Sequence, residues 1–170
     1  YAGSTFCAAV QNNDMVAAYA NDNWSQPNLQ PAREDINLAL EDVTVDTFVQ
    51  NLQENITTDS LDFDIQVLKG DSSGLSKKDF KHDVNIIFYD GDNSEHKMRE
   101  FFLNMLDFTE DVFTLVVDDA NIEENVAITK RFIDAMGLKI LYERELLNDQ
   151  EDSEMWWNGL YVVVLSKSKL

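Results

Sequence analysis

Val84-Asn85-Ile86-Ile87-Phe88-Tyr89-Asp90-Gly91-Asp92, residues 84–92, is a β-rich apolar run that stops abruptly in acid and glycine. Such a run is the signature of a buried strand, and the acid-glycine stop marks its carboxyl end. The same grammar recurs on both sides of it. Upstream, the apolar run Met15 to Ala20 ends in Asn21-Asp22-Asn23, and Phe63 to Leu68 alternates apolar with polar before Gly70-Asp71. Downstream, Phe113 to Val117 stops at Asp118-Asp119, and Leu138 to Tyr142 and Leu160 to Leu165 supply two closing strands.

Segments of helical spacing lie between these strands. Ser4 to Gln11 carries Phe6, Ala9 and Val10 behind Ser4 and Thr5, which can cap a helix start. Thr44 can cap a helix with Val45, Phe48, Val49 and Leu52 on one face. Ser94 to Met105 places Met98, Phe101, Phe102 and Met105 together, and Glu123 to Met136 ends at Gly137, which suits a left-handed C-cap. Strand and helix by turns predict an α/β domain. The order opens on a helix, whereas a parallel sheet normally opens on a strand feeding that helix through a glycine turn. Tyr1-Ala2-Gly3 resembles the tail of such a turn, so a first strand upstream of Tyr1 is expected.

The chain has 170 residues, 44% of them hydrophobic and 11% aromatic, enough for one packed domain. Asp and Glu number 32 against 13 Lys and Arg, a formal charge of -19. A surface of that sign repels polyanions, which argues against nucleic acid and anionic membranes as partners. No apolar run approaches the roughly 20 residues that span a bilayer. Cys7 is the single cysteine, so no intrachain disulfide forms, and its place on an apolar helix face predicts a small core residue. No secretory signal is evident, which makes the cytoplasm the default location. Both prolines, Pro27 and Pro31, fall in the polar stretch 25–33.

Ligands of open parallel sheets bind beyond the strands' carboxyl ends, where this sequence repeatedly places acid. A carboxylate at Asp22 suits ribose hydroxyls, and Asp71 could meet a base amino group. The turn at Gly3 would run beneath the amino-acid or phosphate end of a cofactor, and its lack of lysine argues against a P-loop. The densest group is Asp90, Asp92, Asp118 and Asp119. Converging carboxylates need a hard cation such as Mg²⁺ or raised pKa values; the alternative is that Asp90 and Asp118 cap the helices that follow them. With a metal, Asp92 could take a proton from a substrate oxygen. His96, at a helix start near Asp92, is a substitute acid/base, whereas His82 reads as a solvated loop residue. Trp24 beside Asp22 either flanks a base or packs over the proline loop. Trp156 and Trp157 follow the acidic loop 148–154 and suggest an edge or homodimer contact.

Gly3-Ser4-Thr5 before a helix, Asp22-Asn23-Trp24, Gly70-Asp71, Tyr89-Asp90-Gly91-Asp92-Asn93-Ser94 and Val117-Asp118-Asp119, in this order, resemble class I S-adenosylmethionine-dependent methyltransferases. The acid pairs are similar to the macrocin O-methyltransferase type. The resemblance implies a three-layer Rossmann-like fold, mostly parallel, with the final two strands as an antiparallel hairpin at the sheet edge. It implies S-adenosylmethionine as cofactor, Mg²⁺ beside it, and a small-molecule acceptor, a sugar among the options. Tyr1, Gly3 and Ser4 would lie by the methionine part, Asp22 and Trp24 by the ribose and adenine, and Asp71 with Ser72 by the adenine. Asp90 would lie at the cofactor and, with Asp118 and Asp119, hold the metal, leaving Asp92 as base. The chain departs from the pattern in carrying Asn93 where related sequences often have His, and in lacking the opening of the first motif.

Two other readings share these residues. An apolar strand ending in Asp90-Gly91-Asp92-Asn93-Ser94 also resembles haloacid dehalogenase-type phosphatases, in which Asp90 would be nucleophile and Asp92 acid/base. That family needs a Ser/Thr strand end and an intervening lysine, and only one helix fits between Asp92 and Asp118. A noncatalytic acidic binding domain is the third reading.

Overall fold

The computed structural model describes residues 4–11, 13–24, 45–56, 63–148 and 158–168. Residues Tyr1–Asp71 and Ser72–Leu170 form two compact units. The expected α/β alternation is present in both. Tyr1, Gly3, the proline stretch, Thr44 and the Trp156-Trp157 pair lie outside the described residues.

In the first unit, helix α1 (Ser4–Val10) precedes strand β1 (Ala17–Asp22), and helix α2 (Val45–Asn55) precedes strand β2 (Asp64–Lys69). β1 and β2 pair in parallel over six residues, from Ala17 opposite Asp64 to Asp22 opposite Lys69. Phe48, Leu52 and Ile56 recur every four residues, line one face of α2 and its end, and bury with Val10 and Ala18. Val49 falls off that stripe and is exposed. Cys7 packs partly buried against this cluster, as its helix face predicts.

The second unit holds strands β3 (Val84–Tyr89), β4 (Thr109–Val117), β5 (Lys139–Leu146) and β6 (Leu160–Ser166), with helices α3 (Glu95–Met105) and α4 (Glu123–Ala135). Its strand order is β3-β4-β6-β5. β3 and β4 are parallel, while β6 runs antiparallel to both β4 and β5. The closing pair is therefore the expected antiparallel hairpin, with its second strand inserted and its first at the edge.

Alternation sorts each strand's residues between two faces. Ile87 and Tyr89, Phe113, Leu115 and Val117, and Tyr161, Val163 and Leu165 are buried. Tyr89 meets Phe101 and Phe102 of α3 at ring separations of 4.8 and 5.5 Å, and Phe102 meets Phe132 of α4 at 5.1 Å. The opposite face begins with Ile86, 64% exposed, and Phe88, 43% exposed. The expectation of a buried strand at residues 84–89 thus holds for Ile87 and Tyr89 and is corrected for Ile86 and Phe88. β3 is an edge strand of its sheet, and the helices of this unit that contact β3's inner residues cover one face.

The helix ends follow ordinary chemistry. Gly137 at φ +63 closes α4, with the Leu138 N–H donating to the Ile133 carbonyl and the Gly137 N–H to that of Asp134, the left-handed stop expected there. The Lys167 ammonium donates to the Leu106 and Thr109 carbonyls just beyond α3, satisfying acceptors near that helix end. Among the described residues no helix is long and apolar enough to cross a membrane.

Candidate functional site

At the carboxyl end of β1 the chain turns on a side chain. Asp22 Oδ1 accepts the Trp24 N–H at 2.8 Å, and Trp24 takes φ +52. A bulky residue rarely adopts that left-handed conformation, so the turn is a strained one. The Trp24 ring packs 5.3 Å from that of Phe48, which places it in the first unit's core, and its buried indole N–H meets no acceptor among the described residues. The neighbouring strand end is tied in as well. Asn21 Nδ2 donates to the Leu68 and Gly70 carbonyls at 3.0 and 3.1 Å, and the Gly70 N–H donates to the Asp22 carbonyl at 3.0 Å. Asp22 and Asp71 are both exposed at these adjacent ends. Ser4 opens α1.

The second unit carries the rest of the acid. Tyr89, 3% exposed, donates its hydroxyl to the Asp92 carbonyl at 2.8 Å, so residues 90–92 wrap over its ring. A Cβ on Gly91 would come 2.9 Å from that ring, which explains the glycine. Asp92 Oδ1 accepts the Ser94 N–H at 2.8 Å ahead of α3. The Ser94 hydroxyl and N–H hold the Asp92 carboxyl below the ordinary carboxylate range, with His96 and Lys97 adding to the effect. Asp92 is consequently a weak base. His96 is exposed on the first turn of α3. Ser72 begins the short 3₁₀ turn Ser72–Gly74.

The turn after β4 is built differently. The Asp118 N–H donates to the Tyr89 carbonyl at 2.9 Å, and Asp118 Oδ1 accepts the Asp119 N–H at 2.9 Å. Asp119 sits at φ +57, tolerable for aspartate. Its Oδ2 accepts from Asn93 Nδ2 at 2.7 Å, and its carbonyl accepts from Asn125 Nδ2 at 3.3 Å. Asn125 is 1% exposed, so an interior amide anchors the turn. Asn93 thus bonds the β3 end to the β4 end. The sequence showed Asn93 as a departure from a family pattern and gave Asn125 no role.

Burial pushes the Asp118 carboxyl above its ordinary value, helped by the neighbouring Asp119 charge and opposed by the Asp119 N–H. The folded protein therefore holds this proton more tightly than the unfolded chain. Ionising Asp118 costs stability, and the cost grows as pH rises from the unfolded value through the folded one. Asp118→Asn is expected to raise the urea midpoint at about pH 7 and to leave it nearly unchanged at about pH 3, where the wild-type carboxyl is mostly protonated in both states. Urea titrations at the two pH values check this.

Among the described residues no three His, Cys, Asp or Glu side chains are grouped so as to hold a metal ion, Asp90, Asp118 and Asp119 included. The left-handed turn at Asp119 directs that carboxylate to Asn93 instead. Nor do Asp90 and Asp118 cap helices, because Ser94 and Ile122 occupy the N-cap positions of α3 and α4.

No protein-family model matches the chain, and no curated protein is significantly similar to it. Among solved structures it is similar to a candidate RNA methyltransferase of Pyrococcus horikoshii, with 17% identity, a TM-score of 0.48 and 75% of this chain covered. It is also similar to an rRNA methylase of Streptococcus thermophilus, with 14% identity, a TM-score of 0.48 and 89% of this chain covered. The matches span 60% of the first protein's length and 73% of the second's.

Proposed function

We propose that the chain is a class I methyltransferase domain that takes its methyl group from S-adenosylmethionine and passes it to an oxygen or nitrogen of a small molecule. The observation that carries this reading is the reversed strand β6 inserted between β4 and β5, which otherwise run in the same direction as β3. That arrangement is the antiparallel closing pair implied by the sequence resemblance, and it arises independently of the acidic motifs. The reading treats residues 1–170 as one functional domain.

The donor set of the first unit fits the cofactor's nucleoside end. Asp22 and Asp71 offer exposed acceptors where ribose hydroxyls and the adenine amine would present donors. Asp22 has one oxygen engaged by the Trp24 N–H. An acceptor on a bound nucleoside would also satisfy the buried Trp24 indole N–H. When bound, S-adenosylmethionine supplies an electrophilic methyl group. Within the second unit, Asp118 is the more basic of the two carboxylates, because burial raises its basicity while Ser94 lowers that of Asp92. Asn93 and Asn125 hold the adjacent Asp119 in place, so the turn is preorganised. The -19 charge suits a cationic cofactor and a neutral acceptor better than a nucleic acid.

Isothermal titration with S-adenosylhomocysteine, with and without Mg²⁺, tests the reading. Micromolar binding that Mg²⁺ leaves unchanged is expected. Absence of binding would sink the methyltransferase reading and promote a noncatalytic acidic domain.

A further inference from the structure

Two strand ends flank the acidic turn of the second unit, and Asn121 bonds to both neighbourhoods, through its side chain on one side and its backbone on the other. Asn121 Nδ2 donates to the Asn148 carbonyl at 3.2 Å while Asn121 Oδ1 accepts the Asn148 N–H at 3.1 Å. Its carboxamide therefore acts toward Asn148 as a peptide group acts toward its partner in a ladder. The Asn121 backbone N–H donates to the Asn158 carbonyl at 2.8 Å, and the Ala120 N–H donates to the Gly159 carbonyl at 3.1 Å. Asn148 lies two residues beyond β5, and Asn158 and Gly159 lead into β6. Gly159 has φ +74, and a Cβ there would come 2.4 Å from Asn121 Oδ1, so the close approach demands glycine twice over.

The other supports of this turn come from elsewhere. Asn93 reaches it from the β3 end and Asn125 from within α4. Residues 120 and 121 tie it to the chain just beyond β5 and just ahead of β6, in addition to the β4–β6 ladder that sets Val117 opposite Tyr161. Asn121 is exposed, so water competes for both of its amide groups, and paired bonds to both backbone groups of one residue persist only where the geometry favours them.

We propose that Asn121 is a positioning residue on the acceptor side of the site: it clasps the ends of β5 and β6 to the Asp118–Asp119 turn, so that the three segments order together. Only the term acceptor rests on the methyltransferase reading; the clasp itself does not. Direct contact with a substrate is not required of Asn121, because its effect passes through the direction in which the chain leaves β5 and enters β6.

The test is residue-resolved amide hydrogen exchange on the whole chain, with S-adenosylhomocysteine titrations alongside, for Asn121→Ala, Asn121→Asp and Gly159→Ala. Asn121→Ala should speed exchange at Asn148 by about tenfold or more, leave the Leu115 and Val163 amides of the central strands unchanged, and hold ligand affinity within about twofold. Asn121→Asp keeps an acceptor for the Asn148 N–H and loses the donor, so it should fall between wild type and Asn121→Ala. Gly159→Ala should loosen the same amides while leaving the carboxamide in the chain. Unchanged Asn148 protection in Asn121→Ala overturns the proposal. So does a rise that includes Leu115 and Val163, which marks a general structural role, or a parallel loss of ligand affinity, which assigns the turn to the cofactor side. Failure of the wild type to bind S-adenosylhomocysteine counts against the methyltransferase reading alone, and the exchange pattern then decides the clasp.

Discussion

Phe102→Ala is expected to destabilise the protein by about 3–5 kcal/mol, the range for removing a buried aromatic ring from a well-packed core. Phe102 is fully buried in α3 and joins three partners: Tyr89 of β3 at 5.5 Å, Phe101 beside it at 5.9 Å and Phe132 of α4 at 5.1 Å. One ring thus links a strand to two helices. Its loss leaves a cavity among rigid neighbours that cannot all close on it, since Met98, Met105 and Leu115 are also fully buried. Methionine could relax partway into the space, which favours the lower end of the range. Urea unfolding monitored by circular dichroism measures the difference, and a loss under about 1 kcal/mol would show that this cluster is not the core of the unit.

Asp22→Ala is expected to weaken S-adenosylhomocysteine binding by about 10- to 100-fold, because a hydrogen bond to a charged group contributes roughly 1.5–3 kcal/mol. The carboxylate is exposed at the end of β1 and spends one oxygen on the Trp24 N–H. Removing it also frees the turn that holds Trp24 at φ +52. Asp22→Asn separates the two effects. Asparagine can still accept the Trp24 N–H, so it should preserve the turn while losing the charge, and its affinity should lie between wild type and alanine. Calorimetric titration of the three proteins reads this. Equal affinities would remove Asp22 from the nucleoside end.

The strand β3 was legible residue for residue because its apolar run has hard chemical boundaries, Asp83 before it and Asp90 after it. β4 and β5 were legible only in part. Expected at Phe113 to Val117 and Leu138 to Tyr142, they run Thr109–Val117 and Lys139–Leu146. The missed residues include Glu143, Arg144 and Glu145, whose exposed side chains break the apolar pattern while their backbones continue the ladder to β6, and Glu110 and Asp111, which fall where the β3–β4 register is irregular. Glu145 even gains a partner, accepting from Lys130 of α4 at 2.8 Å. Hydrophobic patterning reports burial, and strand extension at an edge needs none.

The site divides along similar lines. Which residues stand at the strand ends followed from strand order, and Asp22, Asp71, Asp90 and Asp118 are all found there. Where their side chains go did not follow, because that depends on backbone conformation in turns. A single left-handed residue, Asp119, decides that the second carboxylate of the pair meets an amide instead of joining a cation site. The pKa ordering was hidden for the same reason. Asp92 and Asp118 look alike in sequence, yet a backbone N–H stabilises the charge of one while half-burial penalises that of the other.

The inserted strand has a consequence for how the molecule is made. β4 and β5 are consecutive strands in sequence but not neighbours in the sheet, and the slot between them is filled by β6, the last of the described strands in chain order. While a ribosome is still delivering residues 147–159, the growing sheet has a strand-wide gap, with two ladders' worth of peptide groups and the apolar faces of Phe113, Leu115 and Val117 awaiting a partner. Val163 and Leu165 can complete that core only by threading between strands already formed, or by pairing with β5 first and docking as a hairpin. Folding of this unit is therefore held back until synthesis has passed residue 166, and the nascent chain is the form most exposed to aggregation.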